Sequence, residues 1–337
     1  MSPRLSAAAF AAVLVPAVAF AVPLGRERAP HPSQLSSLPS FVQRVEPAIV
    51  GVRATAPEGA ASSARLGSRR FGSAAVFDPR GYAVTVSYVV LDAVAIEAQL
   101  RDGRVVPARL AAIDLDSGLA VIHLEGAGPW PSVTLGRSED VQPGTATGTV
   151  AVDEDNELIY VASSVQSVRR FSAFWEYMLE RAFMVAPSIT SWGGSVVIDD
   201  RGRVVGIVSL RLGEAPYVNL AIPVERFVSV KDELIAAGRV VSRRPRPYLG
   251  LNTVSISGAV FVDGFNDVGP ARTAGFLRGD QIIRVDGVAV VTQEQFYEQM
   301  WRRQAGDTIE VAVQRAQGVR VISVRSIDRH RLYPLAQ

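Results

Sequence analysis

The sequence contains no cysteine, which excludes a disulfide framework and thiol chemistry and leaves the fold to stand on its apolar cores. Histidine is nearly as scarce. His31, His123 and His330 are the three present, scattered along the chain and without an acidic cluster beside them, so no metal-ligand set is expected. Lysine occurs once, at Lys231; the other basic residues are arginines interleaved with acids, and the net charge is only +2. A nucleic-acid groove gathers positive charge on one face, so nucleic acid is not an expected partner. No cofactor is expected either.

What is present is ordinary globular material. The 337 residues are 48% hydrophobic and 20% charged, enough for two domains with their own cores. Residues 1–21 carry one early cation, Arg4, then an apolar run from Leu5 to Phe20 and the small-residue ending Ala19-Phe20-Ala21. This pattern predicts a secretory signal peptide and export to the periplasm. An uncleaved membrane anchor is the alternative, and Pro16 and the short span weigh against it. Residues 22–40 are Pro- and Ser-rich without periodicity and read as a flexible lead.

From Phe41 the pattern changes. Phe41, Val42 and Val45 sit at near-helical spacing, 47–52 reads as a strand, and 55–70 reads as a surface loop. Short strands then recur with turn signals between them: 73–77, 82–86, 95–100, 105–112, 119–124, 145–152, 158–168, 195–198, 204–210 and 218–222. That is the rhythm of an antiparallel sandwich or barrel. Phe171, Phe174, Trp175, Met178, Leu179, Ala182 and Phe183 fall on one face of an expected helix. A second helix is expected over 223–237, ended by Gly238. A basic, Pro-containing linker at 239–247 leads to a separate small domain at 248–328 and a tail at 329–337.

The stretch 188–197, Ser-Ile-Thr-Ser-Trp-Gly-Gly-Ser-Val-Val, precedes a turn at Asp199-Asp200-Arg201-Gly202 and the strand from Arg203. It resembles the nucleophile loop of trypsin-like serine proteases of the HtrA (Deg) type, with Trp192 where the serine would stand. The resemblance covers about 41–328. Asp78-Pro-Arg-Gly-Tyr82 and Thr85-Val-Ser-Tyr-Val-Val90 match the histidine motif, with Tyr88 at the histidine. Asp114-Leu-Asp-Ser-Gly-Leu-Ala-Val121 matches the aspartate motif, with Gly118 at the aspartate. Acyl transfer needs a nucleophile, a base and an orienting carboxylate, and a phenol of ordinary pKa near ~10 is no resting base at neutral pH. Thr190 and Ser191 alter the turn before Trp192. Asp114, Asp116, Ser191, Ser195 and His123 are the nearby groups of the right chemistry, and each is displaced from the position the family uses.

The C-terminal part carries Gly269-Pro-Ala-Arg-Thr-Ala-Gly275, Leu277-Arg-Gly-Asp-Gln-Ile-Ile-Arg-Val-Asp-Gly287 and a helix from Thr292 whose Gln295 completes a capping box. It resembles a PDZ domain. The implied fold is mainly β: a trypsin-like double six-stranded β-barrel domain, 41–238, followed by a small α+β PDZ domain. The resemblance implies peptide binding by strand addition, with Tyr248, Leu249, Gly250 and Leu251 as the carboxylate-binding loop. Val254 then belongs to the template strand, and Phe296 and Met300 line the side-chain pocket.

The expected function is an exported, catalytically inactive HtrA-like protein that binds peptide C-termini or unfolded chains as scaffold, regulator or chaperone-like factor. Mixed assembly with active relatives, and a homotrimer using Phe41, follow from the resemblance. One alternative is a serine endopeptidase with non-standard catalytic groups. A structural envelope protein that has also lost its peptide ligand is the other.

Overall fold

The computed structural model describes residues 38–333; the expected signal peptide, His31, nearly all of the lead and the end of the tail lie outside the described residues. The chain is mainly β. A short helix α1 (Ser40–Val45) enters a closed antiparallel barrel of β1 (Ile49–Thr55), β2 (Arg69–Asp78), β3 (Tyr82–Val86), β4 (Ala95–Gln99), β5 (Val105–Asp114) and β6 (Leu119–Leu124), in the order β1-β2-β3-β6-β5-β4. Helices α2 (Ser63–Leu66) and α3 (Ser87–Val90) lie in its connections. The strands are rich in β-branched residues that fit a pleated, half-buried surface. β4 alternates exposed and buried side chains, as a strand with one wet face must.

A second closed barrel follows. It is built from β7 (Ala146–Val152), β8 (Leu158–Ala173), β9 (Tyr177–Ala186), β10 (Val196–Ile198), β11 (Val204–Leu212) and β12 (Val218–Pro223), in the order β10-β11-β12-β9-β8-β7. One continuous buried cluster, including Val50, Val84, Val121, Val150 and Ile207, spans both barrels. Closing each sheet on itself leaves the barrels no free edge.

After α4 (Glu225–Val228) and α5 (Lys231–Ala237) the chain crosses to a third unit with its own core of Leu249, Leu251, Val260, Phe296 and Val311. Its strands are β13 (Pro247–Tyr248), β14 (Leu251–Ile256), β15 (Ala259–Phe265), β16 (Gln281–Val285), β17 (Val288–Ala289), β18 (Thr308–Arg315), β19 (Gly318–Arg325) and β20 (Ile327–Asp328). The sheet runs β14-β15-β16-β18-β19 with β17 beside β16, and β13 pairs with β20. Helix α6 (Ala271–Ala274) closes one end, and α7 (Gln293–Met300) covers the sheet. As expected from the capping box, Thr292 caps α7 by accepting from the Gln295 amide at 3.2 Å.

Three local expectations give way. The helix expected over 171–183 is instead the end of β8, a tight turn and β9, paired in the register Phe171↔Leu179, Ser172↔Met178 and Ala173↔Tyr177. Successive apolar residues there face opposite ways, and both faces are covered. Leu179 is buried in the barrel core and Met178 in the core of the C-terminal unit. A strand buried on both faces has no polar alternation, and its apolar run imitates a helical stripe. The helix expected over 223–237 is two short helices rather than one. The loop expected over 55–70 contains α2 and ends in Arg70, which is only 9% exposed and donates to the carbonyls of Gly67, Tyr88 and Leu91 and to Ser62 Oγ. Those bonds fasten α3, and with it Tyr88.

Candidate functional site

Tyr88 sits on α3 directly after β3, and its phenol reaches across the cleft between the barrels. It donates to the Ser209 carbonyl at 2.7 Å and also pairs with the Trp192 side chain. Burial pushes the phenol far above its ordinary range, so it stays protonated. Trp192 is half-buried and packs on the small cluster of Val165, Phe183, Val197 and Val208. The turn it belongs to is tied on both sides. Gly193 O accepts from Ser73 N at 2.7 Å, and Gly194 N donates to Val208 O at 3.0 Å. Ser195 is fully buried, and its hydroxyl is used in a 3.0 Å bond to the Trp192 carbonyl.

Gly118 lies in the turn between β5 and β6 at φ +78°, where its amide donates to Asp114 O and its carbonyl accepts from Ser87 N. The space a side chain would take is filled by Tyr177. A Cβ on Gly118 would come within 3.1 Å of the Tyr177 hydroxyl, which donates to Ser117 O at 2.7 Å. Asp114 and Asp116 are buried but turned to the linker and tail: Asp114 pairs with Arg243 at 2.7 Å and Asp116 with Arg329 at 3.1 Å. Burial alone would raise the Asp116 carboxyl, yet Arg329, Arg246 and Arg243 together hold it below the usual carboxylate range. His123 leans on the Tyr82 ring and its Nε2 meets the Arg80 carbonyl at 3.1 Å; His330 is engaged by Asp328. Tyr88 and Trp192 are therefore brought together, Gly118 is packed against Tyr177, and the displaced acids and histidines have other partners.

The second site lies on the C-terminal unit, where Tyr248, Leu249, Gly250 and Leu251 run from β13 into β14. Gly250 is at φ +80°, and a Cβ there would lie 2.6 Å from the Gly269 Cα, so both conformation and space require glycine. The loop's N–H groups converge on a carboxylate from elsewhere in the chain: Leu249 N on Glu176 Oε2 at 3.0 Å and Leu251 N on Glu176 Oε1 at 2.7 Å. Phe296 and Met300 are fully buried, in the cluster that also takes in Met178 of β9. Val254 lies on β14 as expected, half-buried.

Sequence reasoning missed Glu176, Tyr177, Tyr297 and Arg329. Arg329 donates to the Glu176 carbonyl as well as to Asp116 and Leu115 O, joining the tail, the hairpin and the β5–β6 turn. The one hint was a lone acid set in an apolar run, Phe174-Trp175-Glu176-Tyr177. No helix among the described residues is long and apolar enough to cross a membrane.

Two protein families match the chain: the trypsin-like peptidase domain over residues 72–207 and the PDZ domain over residues 247–326. The serine endoprotease DegS of Escherichia coli (strain K12) is 27% identical over 298 residues, covering 81% of each chain. The serine protease Do-like HtrA of Lactobacillus helveticus is 22% identical over 265 residues, 70% of this chain and 62% of that one. Among solved structures, the HtrA-type protease AlgW with a decapeptide superimposes with a TM-score of 0.56 at 21% identity, over 86% of this chain and 97% of that one. At that identity the match speaks for the fold.

Proposed function

We propose that this HtrA-type protein, a trypsin-like peptidase domain followed by a PDZ domain, has lost peptidase chemistry and serves as an exported peptide-binding factor. The observation that carries the reading is the pairing of Tyr88 with Trp192 across the cleft, where a working protease needs an imidazole and a nucleophilic hydroxyl. A protonated phenol whose hydroxyl is committed to the Ser209 carbonyl takes no proton from a nucleophile, and an indole offers no lone pair for acyl transfer. Gly118 supplies no carboxylate. Ser195 is buried with its hydroxyl engaged, and a displacement of about 1 Å already costs roughly a hundredfold in such chemistry.

On this reading Trp192 is a plug that fills the cleft with apolar area. The binding function falls to the PDZ domain, whose loop amides are arranged to hold a carboxylate. Peptide C-termini or unfolded chains in the periplasm are the partners proposed, reached through the signal segment at residues 1–21. The test is hydrolysis of fluorescent casein by the purified exported form beside Trp192→Ala. Neither should turn over above the blank. Turnover that scales with protein concentration and is abolished by Ser195→Ala or Ser191→Ala would establish the endopeptidase alternative instead.

A further inference from the structure

The groove between β14 and α7 is already filled by this chain. The turn joining β8 to β9 lies in it, and it makes one main-chain bond to β14, the element to which a bound peptide would add. Phe174 O accepts from Thr253 N on β14 at 3.0 Å. Two residues on, Glu176 turns into the loop and each carboxylate oxygen takes one amide, from Leu249 and from Leu251. Glu176 is 1% exposed and adopts φ +55°, a left-handed conformation that lets the side chain enter the loop while the main chain turns back into β9. A segment inside a chain has no terminal carboxylate to offer, and a glutamate side chain supplies the same group.

The rest of the turn is gripped as well. Tyr297 on α7 donates to Ala173 O at 2.7 Å and accepts from Glu176 N at 3.1 Å. On the outer edge of α7, Glu294 accepts from Ser172 Oγ and Glu298 pairs with Arg170, each at 2.5 Å. Met178 is buried among the apolar residues of the domain, as a ligand side chain would be.

Resting on the peptide-binding reading above, we propose that the β8–β9 hairpin is a built-in ligand of the Tyr248–Leu251 loop, with the Glu176 carboxylate in the place of a peptide's terminal carboxylate. A partner peptide with a free C-terminus and an apolar last residue binds only by displacing it. A groove open for only a fraction of the time binds with its affinity reduced by that fraction. The hairpin also links two sites: Glu176 closes the loop, and the next residue, Tyr177, packs on Gly118 at the cleft edge. Displacing the tip therefore loosens the β5–β6 turn.

The test compares wild type, Glu176→Ala and the double variant Arg170→Ala/Ser172→Ala, which weakens the outer grip without touching the loop. Two readings are taken: fluorescence anisotropy with a labelled peptide ending in leucine, with free carboxylate or C-terminal amide, and hydrogen exchange at the Leu249, Leu251 and Thr253 amides. Glu176→Ala should bind the free-carboxylate peptide at least about tenfold more tightly than wild type, the double variant by a smaller factor, and the amidated peptide should bind neither. Exchange at the three amides should be faster in Glu176→Ala and slow again when peptide is added. Equal affinity for all three proteins, or unchanged exchange in Glu176→Ala, overturns the proposal. Faster exchange in Glu176→Ala with no peptide bound by any protein keeps Glu176 as the internal ligand and sinks the peptide-binding reading instead.

Discussion

Rebuilding the catalytic set by Tyr88→His, Gly118→Asp and Trp192→Ser should not restore a peptidase, and Gly118 is the reason. Its φ of +78° disfavours any residue with a Cβ, at a cost of about 1–2 kcal/mol. The new Cβ would lie 3.1 Å from the Tyr177 hydroxyl and 3.3 Å from its ring, so the 95%-buried tyrosine must give by a few tenths of an ångström. That shift weakens the bond to Ser117 O, by up to a further ~0.5–1.5 kcal/mol. Together Gly118→Asp, or Gly118→Ala as a control without charge, should lose roughly 1.5–3.5 kcal/mol, read as a shifted midpoint in urea with an unchanged slope. The carboxylate would have to share the space that Tyr177 fills. The folded triple variant should show no casein hydrolysis above the blank. Hydrolysis by that variant, or a Gly118→Ala midpoint equal to wild type, would refute this account of the cleft edge.

Other consequences are more local. Burial pushes the Glu176 carboxyl up to about 7, against the pull of the Leu249, Leu251 and Gly250 amides and of Arg329; the Tyr248 and Tyr297 phenols around it are themselves raised by burial and stay neutral. A carboxyl whose pKa is raised by docking favours the docked form most below its ordinary value near 4.5, and this contribution is lost as pH rises through 7. Exchange at the Leu249 and Leu251 amides, corrected for intrinsic rates, should therefore show weaker protection at pH 8 than at pH 5; stronger protection at pH 8 would contradict the sign. Thr292→Ala should cost about 1 kcal/mol of PDZ stability by chemical denaturation, through loss of the cap on α7. Gly250→Ala, with its Cβ at 2.6 Å from Gly269, should abolish binding of the free-carboxylate peptide by Glu176→Ala, and retained binding would count against the loop's role.

The strands were legible because β-branched runs bounded by turn residues admit few other structures, and Tyr88 and Trp192 were singled out through motif neighbours such as Asp78-Pro-Arg-Gly-Tyr82. The β8–β9 hairpin was not. Its apolar pattern depends on a second domain covering the far face, a fact no window of local sequence contains. The role of Glu176 was hidden for the same reason, since the amide of Leu249 lies 73 residues away. The linker arginines read as charge in a connector, whereas Arg243 and Arg246 close on Asp114 and Asp116, and Arg246 also lies over the Trp301 ring at 4.2 Å.

On the proposed reading the cleft holds no activated nucleophile. The direct measurement is incubation of the folded protein with a fluorophosphonate, followed by intact-mass analysis and peptide mapping. An unmodified mass is expected. A stoichiometric adduct on Ser188, Ser191 or Ser195 would contradict it.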